Sequence, residues 1–213
     1  GWRVAANDYL LYNNLTARVM LSTHGSVSVS GLGTELKYLL NEAPLRSRPS
    51  VATNFHGIYF TDEENLEIDR FCQNIGSATE KLQDIFTYSV GQALLMKRPY
   101  NLFHRSNLAM RTRSVERSFG NVKTWNTPIF DHAYKIALSV LRFPFPNSNQ
   151  SHSVSSCDTR DLSGLTGDFD LVYLDPPYMN RAGTGVDYSN FYHFLEGLCD
   201  YDLFDVFEEK YAH

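Results

Sequence analysis

Residues 169–178 read F-D-L-V-Y-L-D-P-P-Y, and the last four carry the clearest chemistry in the chain. Asp175 supplies a carboxylate acceptor, and the carbonyl of Pro176 supplies a second that no sheet ladder occupies. Pro176 and Pro177 lack amide protons and have fixed φ, so both acceptors are held stiffly. Two rigid acceptors suit a planar NH2 group, because they take its two hydrogens and leave its nitrogen lone pair turned toward an electrophile. Tyr178 adds a flat face on which a base can stack. A strand-ending turn with a surface tyrosine is the plainer reading of the same letters.

Such a corner works only if a scaffold aims it. Leu171, Val172, Tyr173 and Leu174 predict a strand buried on both faces, as in a parallel sheet with helices on either side. In open α/β sheets ligands sit outside the carboxyl ends of the strands, which is where Asp175 falls. Two other segments, residues 3–7 and 153–157, also read as strands, and each runs into an acid, Asp8 and Asp158. Asp8 precedes an apolar-periodic stretch and so reads equally as a helix N-cap, a role compatible with ligand binding. Asp158 also fits a simple turn residue. Three strands do not make a stable doubly wound sheet. The expectation is an α/β, Rossmann-like sheet that is incomplete in this chain, either as a fragment or completed by a partner segment.

The middle of the chain predicts helices. Thr61 and Glu64 form a capping-box pattern ahead of Ile68, Phe71, Cys72 and Ile75. Leu82, Ile85, Phe86, Val90 and Ala93 mark a second helix that Pro99 ends, and Phe130, Ala133, Tyr134, Ala137, Leu138 and Leu141 mark a third. Phe191, Phe194, Leu195 and Leu198 give one more amphipathic helix, in which His193 is a packed residue. Gly31 and Gly33 belong to a turn, and Gly183 and Gly185 to a loop able to close over a substrate. Connectors at 22–33 and 143–153 divide the chain into residues 1–30 and 150–213, which carry the strands, and a helical insertion over 31–149.

Hydrophobic residues are 43% and charged residues 20% of the chain, which excludes a disordered protein. No stretch approaches a membrane span and there is no signal-peptide pattern, so a soluble cytoplasmic protein without a membrane partner is expected. Cys72, Cys157 and Cys199 are scattered without metal spacing, so no metal site is expected and the thiols fit a reducing compartment. The net charge of −5 hides an uneven distribution. Lys97, Arg98, Arg105, Arg111, Arg113, Arg117 and Lys123 stand against a single acid, Glu116, with Tyr100, Asn101, Phe103, Asn107, Phe119 and Trp125 among them. Local positive charge with interleaved aromatics and amides fits contacts to DNA phosphates and base edges. A solvated loop whose charges offset acids elsewhere is the alternative.

With these motifs in view, the chain resembles the S-adenosylmethionine-dependent DNA adenine-N6 methyltransferases in which a cofactor half is followed by a recognition region and then the catalytic D-P-P-Y. The supporting segments are Val4-Ala5-Ala6-Asn7-Asp8, Gly57-Ile58-Tyr59-Phe60-Thr61, Arg98-Pro99-Tyr100-Asn101, Ser118-Phe119-Gly120-Asn121 and Tyr192-His193-Phe194-Leu195-Glu196-Gly197-Leu198. The resemblance implies that Asp175, Pro176, Pro177 and Tyr178 bind a flipped-out adenine and orient its amino group. It implies that Asp8 holds the cofactor ribose and that Asp158, together with Asp175, lies on the cofactor side. It also implies double-stranded DNA as partner, a bacterial or phage host and a place in restriction-modification. The family's F-x-G-x-G loop, which precedes the second strand, is not in this sequence; Gly31-Leu32-Gly33 comes after the acid instead of before it. Two other functions stay open: an amino-group methyltransferase acting on RNA or protein, and a non-catalytic DNA-recognition module lacking the cofactor loop.

Overall fold

A computed structural model describes residues 2–22, 24, 27–98, 103, 111–112, 122–143, 152–158, 167–175 and 188–206. It is an α/β structure, mostly helical, with a small parallel sheet of two strands. Strand β1 (Ala5–Asn7) pairs in parallel with β2 (Ser153–Ser155), Ala5 opposite Ser153 and Asn7 opposite Ser155. Parallel neighbours need a long crossover, and here nearly the whole helical part of the chain supplies it.

Among the described residues the α-helices in chain order are α1 (Leu11–Leu21), α2 (Leu32–Lys37), α3 (Ser50–Asn54), α4 (Asp62–Asn74), α5 (Glu80–Lys97), α6 (Val122–Asn126), α7 (Ile129–Arg142) and α8 (Ser189–Cys199). The start of α4 follows its sequence signal. The Glu64 amide donates to Thr61 Oγ1 at 3.3 Å and the Thr61 amide to Glu64 Oε2 at 3.1 Å, a reciprocal capping box. Ile68 and Phe71 then fall in the interior. The longest helix, α5, stops at Lys97, two residues before Pro99, as the proline requires. In α7 the fully buried stripe is Ile129, Ala133, Ala137 and Val140, while Phe130, Tyr134, Leu138 and Leu141 are only partly covered. Small alanines face the neighbour and let the two backbones approach, so the larger side chains flank the contact.

One hydrophobic core links the ranges 1–30, 31–149 and 150–213. It runs from Tyr12, Leu15 and Val19 of α1 through Ile85, Phe86, Val90 and Leu94 of α5 to Phe194, Leu195 and Leu198 of α8. Helix α5 is the hub, packed by α1, α7 and α8. Gly91 makes room for Tyr12 of α1, since a Cβ there would lie 2.4 Å from Tyr12 Cε2. Tyr12 uses the space to donate its hydroxyl to the Tyr88 carbonyl at 3.1 Å. Gly31 takes a left-handed φ of 83° in the turn before α2, as the Gly31-x-Gly33 reading expects, and Gly33 packs against Tyr134.

The third expected strand is not formed. Residues 171–175 have no ladder partner among the described residues, and Leu171 (77%) and Tyr173 (83%) are exposed instead of buried on two faces. A doubly buried strand needs strands beside it and helices above and below. The described sheet has only two three-residue strands and neither pairs with this segment. Among the described residues no helix is long and apolar enough to cross a membrane, and Cys72, Cys157 and Cys199 are free thiols.

Candidate functional site

The carboxyl ends of β1 and β2 bring Asp8 and Asp158 to the same end of the sheet, although the paired residues of the two strands are 148 positions apart in sequence. Asn7 joins the two ends. Its Oδ1 accepts from the Cys157 amide and from Ser155 Oγ, both at 2.8 Å, and its Nδ2 donates to the Cys157 carbonyl at 3.0 Å. The Asp8 amide extends the ladder by donating to the Ser155 carbonyl at 3.3 Å. An Asn side chain that mimics a strand partner in both directions fixes the paths by which Asp8 and Asp158 leave the sheet.

The half-buried Asp8 carboxylate is oriented locally. Its Oδ1 accepts from the Leu10 amide at 2.8 Å and its Oδ2 from Asn13 Nδ2 at 3.0 Å, while its carbonyl accepts from Asn14 Nδ2 at 2.9 Å. The bond two residues onward is an Asx turn leading into α1 rather than an N-cap in the strict sense. A carboxylate has about four lone-pair sites, so two remain for a ligand after Leu10 and Asn13 are served. Asn14 Oδ1, buried beside it, has no hydrogen-bond partner among the described residues.

The first amides of α1 are met from elsewhere. Leu11 donates to Glu196 Oε2 at 2.8 Å and Tyr12 to Glu196 Oε1 at 2.9 Å. Burial pushes the Glu196 carboxyl above its usual range, the two amides pull it back, and the charge of Asp8 adds to the rise. Sequence reasoning places Glu196 in a family-like segment without giving it a role. The available signal is an acid flanked by Phe194, Leu195 and Leu198 on an apolar face.

Asp175 is exposed at the end of the unpaired segment. Pro176, Pro177 and Tyr178 lie outside the described residues, as does the Gly183 and Gly185 loop. Gly167 lies by the end of the Arg3 side chain, where a Cβ would sit 3.3 Å from Arg3 Nη2. A cavity of about 430 Å³ at the amino ends of α2 and α5, lined by Ser30, Glu35, Thr79 and Lys81 among others, contains none of the expected site residues. Among the described residues, no three His, Cys, Asp or Glu side chains gather as metal ligands would.

The basic segment divides. Lys97 and Arg98 are buried and the Arg111 side chain is only 4% exposed, which corrects their expected place on a solvent-facing strip. Lys97 Nζ donates to Glu64 Oε1 at 2.9 Å, to the Trp125 carbonyl at 2.7 Å and to the Thr127 carbonyl. Arg111 grips the same carboxylate with both Nη atoms, at 2.6 and 2.8 Å. Burial opposes ionisation of Glu64, but Arg111 and Lys97 outweigh it and hold the carboxyl below its usual range. Burial lowers the Lys97 ammonium despite Glu64. The Arg98 guanidinium lies 4.4 Å from the Tyr59 ring centroid and 5.7 Å from that of Phe103, and desolvation pushes it down to about 10. Charges committed to Glu64 and to aromatic faces tie the segment to the core. Lys123 is exposed, and Arg105, Arg113 and Arg117 lie outside the described residues.

Compared with protein-family models, with curated proteins and with solved structures, the chain matches none.

Proposed function

We propose that this chain belongs to a Rossmann-like S-adenosylmethionine-dependent methyltransferase that modifies the N6 amino group of adenine in duplex DNA. The observation that carries the reading is the pairing of a D-P-P-Y at 175–178 with two acids, Asp8 and Asp158, leaving the same end of a parallel sheet. Ligands of α/β sheets bind at that end.

The residues present suit the cofactor. The half-exposed Asp8 carboxylate keeps acceptor sites for two ribose hydroxyls, and the orphaned Asn14 Oδ1 adds an acceptor nearby. When bound, the cofactor supplies an electrophilic methyl on a sulfonium that leaves readily. Asp175 and the Pro176 carbonyl accept the two amino hydrogens of an adenine turned out of the helix stack. As the nitrogen becomes tetrahedral and gains positive charge, these fixed acceptors hold it more strongly than they hold the planar amine. Tyr178 stacks on the extruded base. Lys123 together with Arg105, Arg113 and Arg117 is the set left to meet phosphates, since Lys97, Arg98 and Arg111 are occupied internally.

Titration calorimetry with S-adenosylmethionine tests the cofactor half of the reading. The chain is expected to bind it and the Asp8→Ala variant to bind it at least about tenfold more weakly. Equal affinity in the two proteins would remove Asp8 from the site, and absence of binding together with retained affinity for duplex DNA would favour a recognition module.

A further inference from the structure

We infer that Glu196 is the positioning residue of the cofactor end: by capping α1 from the helix that follows the D-P-P-Y, it fixes where Asp8 points. The inference rests on the reading of Asp8 as the ligand acid. Glu196 is 7% exposed and lies on the face of α8 that carries Phe194, Leu195 and Leu198 into the core. A carboxylate in such surroundings is costly unless its oxygens are met. Both are met by main-chain amides of the first turn of α1, residues 185 and 184 positions earlier in the chain. The positive end of the α1 dipole supplies the compensating charge.

That turn holds Asp8. Asn13 and Asn14, on α1, reach back to the Asp8 carboxylate and carbonyl, and the Leu10 amide fills the remaining contact. Any tilt or fraying of the turn therefore moves Asp8, although Glu196 makes no hydrogen bond to it. Side-chain contacts pin α1 independently of Glu196. The Tyr12 hydroxyl bonds to the Tyr88 carbonyl at 3.1 Å and accepts from Gln92 at 3.2 Å, and Arg18 pairs with Asp84 at 2.8 Å. Loss of the Glu196 cap should loosen the amino end of α1 while leaving the helix docked. Asp69 does for α3 what Glu196 does for α1, accepting from the Val51 and Ala52 amides at 2.9 and 2.8 Å, but no candidate ligand residue adjoins that helix end.

The test compares wild type, Glu196→Gln and Glu196→Ala, with Gln as the isosteric variant should Ala fail to fold. The first readout is hydrogen exchange by NMR at the Leu10 amide and the Asn13 side-chain amide, both of which bond to Asp8 and neither to Glu196. Their protection is expected to fall about tenfold or more in the variants. The second is the S-adenosylmethionine dissociation constant, expected to rise about tenfold or more while affinity for duplex DNA is unchanged. Unaltered exchange at Leu10 and Asn13 would overturn the coupling, and so would altered exchange with unchanged cofactor affinity. If wild type binds no S-adenosylmethionine, the proposed function fails, and the exchange readout alone decides whether Glu196 positions Asp8.

Discussion

Replacing Glu64 with Gln is expected to be among the most destabilising single changes in the chain. Glu64 closes the α4 capping box through the Thr61 amide and is the carboxylate paired with both Lys97 and Arg111. The Lys97 and Arg111 side chains are 1% and 4% exposed, so removing the anion strands two cations in the interior with mainly carbonyl oxygens for company. Breaking a buried pair by deleting one partner costs about 3–5 kcal/mol, a large share of the roughly 5–15 kcal/mol that folds an ordinary domain. Lys97→Met, which removes one cation and leaves Glu64 gripped by Arg111, should cost less. Because the Glu64 carboxyl is held below its usual range, its contribution is full above that range and lost as pH falls through the lowered value. Glu64→Gln should therefore also flatten the acid limb of the stability profile. Urea unfolding of the three proteins from neutral to acid pH reads both effects. A loss below about 1 kcal/mol for Glu64→Gln, the size of an exposed pair, would refute the buried cluster. So would a Lys97→Met protein of unchanged stability whose salt dependence of DNA binding drops by about one phosphate contact.

Further changes probe packing, titration and chemistry. Gly91→Ala places a methyl 2.4 Å from Tyr12 Cε2, and the overpacking, about 1–3 kcal/mol, should outweigh the roughly 1 kcal/mol helix-propensity gain; a thermally stabilised variant would contradict the α1–α5 geometry. Burial, helped by the charge of Glu64, raises the Glu67 carboxyl from 4.5 to about 6. The folded state thus holds the proton more tightly, and stability falls as pH rises from 4.5 to about 6. Glu67→Gln, which keeps the acceptor for Asn41, should match wild type at pH below that window and be more stable above it by at most about 2 kcal/mol; denaturant titrations on both sides check the sign. Asp175→Ala, at an exposed position, should shift stability by no more than about 0.5 kcal/mol, and a large loss in calorimetry would show that Asp175 is structural.

Local signals in the sequence were legible where the physics is local. The Thr61 and Glu64 box, the stop of α5 ahead of Pro99, the pairing-competent ends at residues 5–7 and 153–155, and the packed His193 all follow from neighbours a few residues away. What was not legible depends on partners far along the chain. Nothing near Leu11 announces a cap from Glu196, and nothing near Val51 announces Asp69. The basic run looked solvent-facing because charge is normally left in water, yet one acid at position 64 draws Lys97 and Arg111 inward. Residues 171–174 have the composition of a buried strand, but composition states a need for neighbours and cannot supply them; in the structure they are exposed. Asp8 kept two readings in the sequence, and its bonds to Leu10 and Asn13 serve the helix entry while leaving acceptor sites open.

The central claim is that the corner at Asp175 grips an adenine amine for methyl transfer. It is tested most directly by incubating the chain with S-adenosylmethionine tritiated in its methyl group and duplex DNA, then digesting to nucleosides. The label is expected in N6-methyladenine with wild type and absent with Asp175→Ala at equal fold content. Label at cytosine, in RNA or in protein but not in adenine, or an Asp175→Ala protein that retains half the wild-type rate, would contradict it.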